Sequence, residues 1–249
     1  MGIIDVINVW FRYPGFNDFV LRDVSLSVEH NESLMVVGEN GSGKTTLLTL
    51  MAGLLRPERG SVLFEGKDIY SQLPGVRRRI GFVFQDPDDQ LFNPTVYDEL
   101  AYTVRQLGLG ESDVRKLVMD VADRFGIKHL LNRSPFRLSY GEKKLVSLAS
   151  AIVHNPDVLI LDEPTAFLSR SRTEHISKIL RDLHRQGMTM VVATHDMGML
   201  NLANRLALIR GGGVVAFNNV EDALANDYVR DVMGLSKWAD KCLKDYNSD

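Results

Sequence analysis

Apolar residues recur along this chain with two different periods, and the changes between them divide it. The first part is written at strand period. IIDVINVWF (3–11) and VSLSV (24–28) read as strands, and SLMVVG (33–38) is nearly continuous apolar sequence, as a central strand buried on both faces should be. A glycine-rich turn follows, then KTTLLTLMAG, helical and closed by Gly53. SVLFEGKDI alternates and turns at Glu65-Gly66, a hairpin signal. RIGFVFQ is another short apolar strand.

From about residue 87 to 154 the period becomes helical. TVYDELAYTVRQLG stops at Gly108. SDVRKLVMDVADRFG takes Ser112 as its cap, puts Val114, Leu117, Val118, Val121, Ala122 and Phe125 on one face, and stops at Gly126. Strands then return as DVLILDEP and MTMVVATHD. Between them Ile176, Ile179, Leu180 and Leu183 stand at helical spacing. This strand, helix, strand order predicts an α/β fold with a parallel sheet and crossover helices, interrupted by an inserted helical lobe. RLALIR and GVVAF form a terminal pair of strands. From about 226 the tail is amphipathic, with Val229, Val232, Met233, Trp238, Cys242 and Leu243 roughly on one side; it docks on the chain's own core or forms a dimer contact.

Composition narrows the classes. The 249 residues are long for one domain and short for two of ordinary size, so one core carrying a lobe fits best. A net charge of −3, with Arg77, Arg78 and Arg79 as the only basic cluster, argues against nucleic acid as a partner. The single cysteine, Cys242, excludes a disulfide framework or a cysteine metal site. No signal pattern opens the chain and no apolar run has membrane-spanning length. A cytoplasmic, soluble protein is expected, any membrane role coming through a partner.

The chemistry gathers at strand ends. GENGSGKTT (38–46) fits a phosphate-binding loop, with Gly38, Gly43, Lys44 and Thr45 in place between a strand and a helix. Backbone N–H groups and the helix dipole there favour anions; Lys44 neutralises β- and γ-phosphates, and the Thr45 hydroxyl can ligate Mg²⁺. LILDEP ends in two carboxylates: Asp162 can hold Mg²⁺ through water, and Glu163 can take a proton from an attacking water or orient it. Gln85, ending RIGFVFQ, could reach Mg²⁺ or that water. His195 ends a strand that should finish on the same side as the loop; the other histidines (His30, His129, His154, His175 and His184) belong to turns or solvent faces. Tyr13, before a Pro-Gly turn, could stack on a purine. In LSYGEKK (138–144), Ser139 and Glu142 form a capping box, and a capped helix start with glycine at its second position is also an anion site. Which anion it meets is open at this level.

In this order the motifs resemble the ATP-binding subunits of ABC transporters over about residues 3 to 220. Tyr13 matches the N-terminal aromatic, GENGSGKT the Walker A loop, Gln85 the Q-loop glutamine, LSYGE the signature, LILDE the Walker B strand with its glutamate, AFLS the D-loop and His195 the switch histidine. FVFQDPDDQLFNPTVYDELAY is similar to the energy-coupling factor group, which drives uptake of cobalt, nickel or vitamins. The resemblance implies a P-loop NTPase core with a mainly parallel sheet, an N-terminal antiparallel β subdomain and an inserted helical subdomain, together making an ATPase domain over 1–225 with a C-terminal extension over 226–249. It implies ATP and Mg²⁺ as cofactors. ATP would be held by Tyr13, Gly38, Asn40, Gly41, Ser42, Gly43, Lys44, Thr45 and Thr46, and Mg²⁺ by Thr45, Gln85 and Asp162. Glu163, His195 and Gln85 would be catalytic, and Ser139, Gly141 and Glu142 would act in trans on a partner's nucleotide. The implied partners are a second ATPase protomer, identical or not, a transmembrane coupling subunit and a substrate-binding membrane subunit, with the chain peripheral at the cytoplasmic face of the membrane. A soluble ABC ATPase acting on nucleic acid or the ribosome, another class of ABC importer, and a P-loop kinase or GTPase are the competing readings. Tyr140 departs from the usual glycine, Ser169 from the usual aspartate, Phe167 from a small residue and Leu145 from arginine.

Overall fold

A computed structural model describes residues 2–235. The tail positions Trp238, Cys242 and Leu243 lie outside the described residues. Two sheets form the frame. The smaller is antiparallel and built from β1 (Ile4–Phe11), β2 (Leu21–Val28), β4 (Arg59–Phe64) and β5 (Lys67–Asp68), in the order β2-β1-β4-β5. Glu65 and Gly66 both take positive φ at its hairpin turn, the geometry of a tight turn that matches strand twist.

The larger sheet takes β3 (Ser33–Gly38), β6 (Ile80–Val83), β7 (Val158–Asp162), β8 (Thr189–Ala193), β9 (Arg205–Arg210) and β10 (Gly213–Phe217). Their order is β10-β9-β3-β8-β7-β6, and every pair is parallel except the β9–β10 hairpin at the edge. Period-two alternation explains the continuous apolar runs. Leu34, Val36, Val158, Ile160, Val191 and Ala193 face one core, with α1 (Lys44–Met51) and the antiparallel sheet. Met35, Val37, Leu159, Leu161, Met190 and Val192 face the other. Both faces are buried, so neither can be polar.

The second core is shared with α2 (Val96–Arg105), α3 (Glu111–Arg124) and α4 (Tyr140–Ile152), which lie between β6 and β7 in the chain, and with α5 (Arg170–Arg185). Val114, Val118, Ala122 and Phe125 are buried, as the helical spacing predicts. Ser112 is not the cap: the N-cap lies two residues earlier, at Gly110, so α3 begins at Glu111, with Glu111 and Asp113 in its first turn. Acidic side chains there offset the helix dipole without a capping hydroxyl. His154 lies in the turn after α4, as expected, but both its ring nitrogens are buried without a hydrogen-bond partner, and burial pushes its pKa down. The chain continues through α6 (Val220–Leu224) to α7 (Asp227–Val232), where Val229 and Met233 pack into the second core.

Strand order is what assembles the site. β3, β8, β7 and β6 are consecutive neighbours. The segments leaving their carboxyl ends carry Lys44, His195, Glu163 and Gln85, so positions more than a hundred residues apart meet along one edge of the sheet.

Candidate functional site

The loop between β3 and α1 is shaped by close approaches. A Cβ on Gly38 would lie 2.6 Å from Ser42 Oγ and 2.7 Å from the Ile209 carbonyl oxygen, a backbone atom that cannot swing aside. Gly43 caps α1 with φ +107°, a conformation that side-chain-bearing residues rarely adopt. Lys44 is buried, and its ammonium donates to the Gly38 carbonyl (2.8 Å) and the Glu39 carbonyl (3.1 Å). An ammonium carries three donors, so one remains for a ligand. The Thr45 hydroxyl donates to Asp162 Oδ2 at 2.6 Å.

Asp162 Oδ1 is buried with no hydrogen-bond partner. Burial raises the Asp162 pKa, and Thr45, Lys44 and Lys144 only partly oppose it. A buried, unpartnered carboxylate oxygen beside a threonine hydroxyl is the donor set of a hard divalent cation, so these residues fit Mg²⁺.

Glu163 is buried at the end of β7 with φ +45°. Its Oε1 lies 3.0 Å from Nδ1 of His195, whose ring is mostly exposed. Tyr13 packs edge-on against Phe11 (5.0 Å) and its hydroxyl shares a 3.1 Å hydrogen bond with Thr46 Oγ1. Tyr13, Lys44, Thr45, Gln85, Asp162, Glu163 and His195 all line one cavity of about 690 Å³, with Asn40, Gly41, Gly43 and Thr46. Its size suits a nucleotide-sized ligand. The loop and the Lys44 ammonium offer donors suited to phosphates, and the Glu163–His195 pair lines the same cavity.

Ser139, Gly141 and Glu142 do not line that cavity. They form the first turn of α4, where Glu142 Oε2 accepts from the Ser139 N–H (2.8 Å) and the Ser139 hydroxyl (2.7 Å). Those bonds hold the Glu142 pKa below its usual value. Tyr140 is helical, so its backbone carries no strain. Its hydroxyl donates to the Gln85 carbonyl (3.3 Å) and its ring meets Phe167 edge-on at 6.1 Å. Two departures from the family pattern therefore touch each other. Phe167 is 82% exposed and has φ +62°. Ser169 caps α5 without a side-chain hydrogen bond.

Several further residues support the site. Lys144 is fully buried, reaching the carbonyls of Phe84 (3.3 Å) and Glu163 (3.2 Å); a lysine in the apolar stripe Gly141, Lys144, Leu148, Ala151 is the signal that points to it. Thr165 Oγ1 donates to Asp196 (2.8 Å), bracing the turns after β7 and β8. Tyr228 of α7 donates to Glu39 in the phosphate loop (2.8 Å), and the Arg210 guanidinium lies 4.0 Å from its ring centroid.

After Gln85 the chain makes a second surface. Buried Glu99 accepts from the N–H groups of Phe92 (3.0 Å) and Asn93 (2.8 Å), fixing their loop. Phe92 and Tyr102 stack edge-on at 5.0 Å, yet are 59% and 45% exposed. A hollow of about 570 Å³ beside them is lined by Pro94, Asp98, Tyr102 and Arg105.

The model of the ABC transporter family matches residues 21–166. The energy-coupling factor transporter ATP-binding protein EcfA of Methanocaldococcus jannaschii is 39% identical over 203 residues, 80% of this chain and 72% of that protein. Among solved structures, cbiO1 from Clostridium perfringens, described as part of the ABC transporter complex cbiONQ, matches with a TM-score of 0.80 at 33% identity and 92% coverage of each chain. The ATP-binding cassette MJ0796, dimeric in a post-hydrolysis state bound to ADP and Pi, matches with a TM-score of 0.79 at 26% identity, covering 86% of this chain and 98% of that one.

Proposed function

From the premise that this chain belongs to the ABC transporter family, we propose that it powers a membrane importer of the energy-coupling factor type by closing with a second ATPase protomer over two ATP molecules. The chain is an ATP-binding ATPase subunit, most like the energy-coupling factor group. The observation that carries the reading is the cavity at the ends of β3, β8, β7 and β6, which joins phosphate loop, acidic pair, glutamine and histidine and leaves the signature turn outside.

The residues divide the chemistry. Tyr13 offers its ring to the purine, and the 38–46 loop and Lys44 take the phosphates. Thr45, Asp162 and Gln85 are the groups that would hold Mg²⁺, which would supply positive charge against the phosphates. Glu163 accepts the proton of the attacking water and His195 holds that carboxylate in place. Ser139, Gly141 and Glu142 act on the partner's nucleotide. The Ser139 hydroxyl already donates to Glu142, so meeting a γ-phosphate exchanges one anionic acceptor for another. The partner is a second copy or a non-identical ATPase.

No helix among the described residues is long and apolar enough to cross a membrane. The transport path then belongs to membrane subunits, a coupling subunit and one that binds the substrate, with this chain peripheral at the cytoplasmic face. The exposed Phe92–Tyr102 pair is the surface offered to the coupling subunit. Coexpression with the membrane subunits and a pull-down test this. Phe92→Asp is expected to lose them while the isolated chain keeps its ATPase activity. Undiminished capture by Phe92→Asp would remove this surface from the interface, and capture of no membrane subunit by the wild type would refute the transport role.

A further inference from the structure

Lys144 is an unusual residue for its position. It stands in the first turns of α4, has no exposed surface, and belongs to a helix face that is otherwise small or apolar. Taking an ammonium out of water is costly, and apolar side chains of similar volume usually stabilise a fold at least as well. Stability alone therefore does not account for it.

Its contacts do. The ammonium donates to the Glu163 carbonyl at 3.2 Å and to the Phe84 carbonyl at 3.3 Å. The first belongs to the acidic residue after β7, the second to the residue just before Gln85. Glu163 sits at φ +45°, a conformation costly for a long side chain unless its surroundings hold it. Its N–H is fixed by the Ala193 carbonyl at 2.9 Å, and its C=O is fixed by Lys144. The same helix begins with Ser139 and Gly141.

We propose that Lys144 is a positioning residue for ATP hydrolysis. Its ammonium pins the strand-end peptides so that Glu163 and Gln85 keep their geometry, and it ties both to the helix that carries the signature turn. The inference rests on Glu163 as the group that activates water. Burial pushes the Lys144 pKa down to about 8, while Asp162, Asp86 and Glu163 pull it up. Even the neutral amine would keep two N–H donors for the two carbonyls.

The test is steady-state hydrolysis of Mg·ATP by the full chain, beside equilibrium binding of a fluorescent ATP analogue and thermal unfolding, for Lys144→Met, Lys144→Gln and Glu163→Gln. Sub-ångström to 1 Å misplacement of a catalytic group costs up to roughly 100-fold. Lys144→Met should therefore lower kcat about 10- to 100-fold, with KM and analogue affinity within about threefold of wild type. Lys144→Gln, whose shorter side chain still carries N–H donors, should recover several-fold over Lys144→Met. Wild-type kcat in Lys144→Met overturns the inference. So does an equal loss in both Lys144 variants that follows a lowered unfolding temperature or weakened nucleotide binding, which marks a merely structural residue. Turnover retained by Glu163→Gln overturns the reading of the base, and this inference with it, whatever the Lys144 variants do.

Discussion

Replacing Asp162 with asparagine should reverse the stability ranking of mutant and wild type between two buffers. The carboxylate is 2% exposed. One oxygen takes the Thr45 hydroxyl at 2.6 Å and the other takes nothing. Burial, with the neighbouring Glu163, outweighs the Thr45 bond and the two nearby lysines, so the pKa is raised and the charged form is the disfavoured one. Asparagine keeps the shape and an acceptor for Thr45 but removes the charge. A buried polar atom without a partner costs about 1–3 kcal/mol, more when charged, and neutralising it recovers roughly 1–2 kcal/mol. For a chain this long, 1 kcal/mol moves Tm by about 2–4 °C, so Asp162→Asn should melt about 2–8 °C above wild type in EDTA. Saturating Mg·ATP reverses the order. A ligand at 100 times its Kd stabilises by about 2.7 kcal/mol, and the variant should lose the metal-dependent part of that gain. Differential scanning fluorimetry in EDTA and in Mg·ATP reads both effects. A lower Tm than wild type in EDTA, or an undiminished Mg·ATP shift, would refute the assignment of Asp162 as a strained cation ligand.

Tyr140→Gly removes the hydrogen bond to the Gln85 carbonyl and the edge contact with Phe167 and places glycine in a helix; these sum to about 2–3 kcal/mol. ATP affinity of the lone subunit should stay unchanged, because Tyr140 does not line the nucleotide cavity; a tenfold loss in equilibrium binding would show that the signature acts within its own protomer. Phe92→Asp, the coupling-surface variant, should cost less than about 1 kcal/mol in denaturant unfolding, since its ring is mostly in water. A larger loss would mean that this ring supports the fold.

The strand runs and the motif spacings were legible because their causes are local. SLMVVG and DVLILD are apolar throughout because both sheet faces are buried, and the glycines at 38 and 43 answer to close approach and positive φ. The antiparallel subdomain was reached through resemblance, and the shared side of the strand ends through the general rule for parallel sheets; the strand order itself was not legible, since nothing local encodes which strands become neighbours. Contacts across long separations were invisible. Lys144 finds Phe84 sixty residues away, and Tyr140 turns its ring to its own Gln85 and Phe167; no pattern within LSYGEKK announces either. The Ser112 cap misled because Gly110 and two acids serve the same helix start.

The central claim is that ATP closes two protomers and that Glu163 ends the closed state by hydrolysis. Size-exclusion chromatography of Glu163→Gln with Mg·ATP, beside phosphate release, tests it most directly. General-base removal should cost about 10²–10⁴ in kcat while ATP binding persists, so the variant should elute as an ATP-bound dimer that wild type forms only transiently. Unchanged steady-state hydrolysis, or a nucleotide-bound variant that remains monomeric alone and with its partner ATPase, would contradict the account.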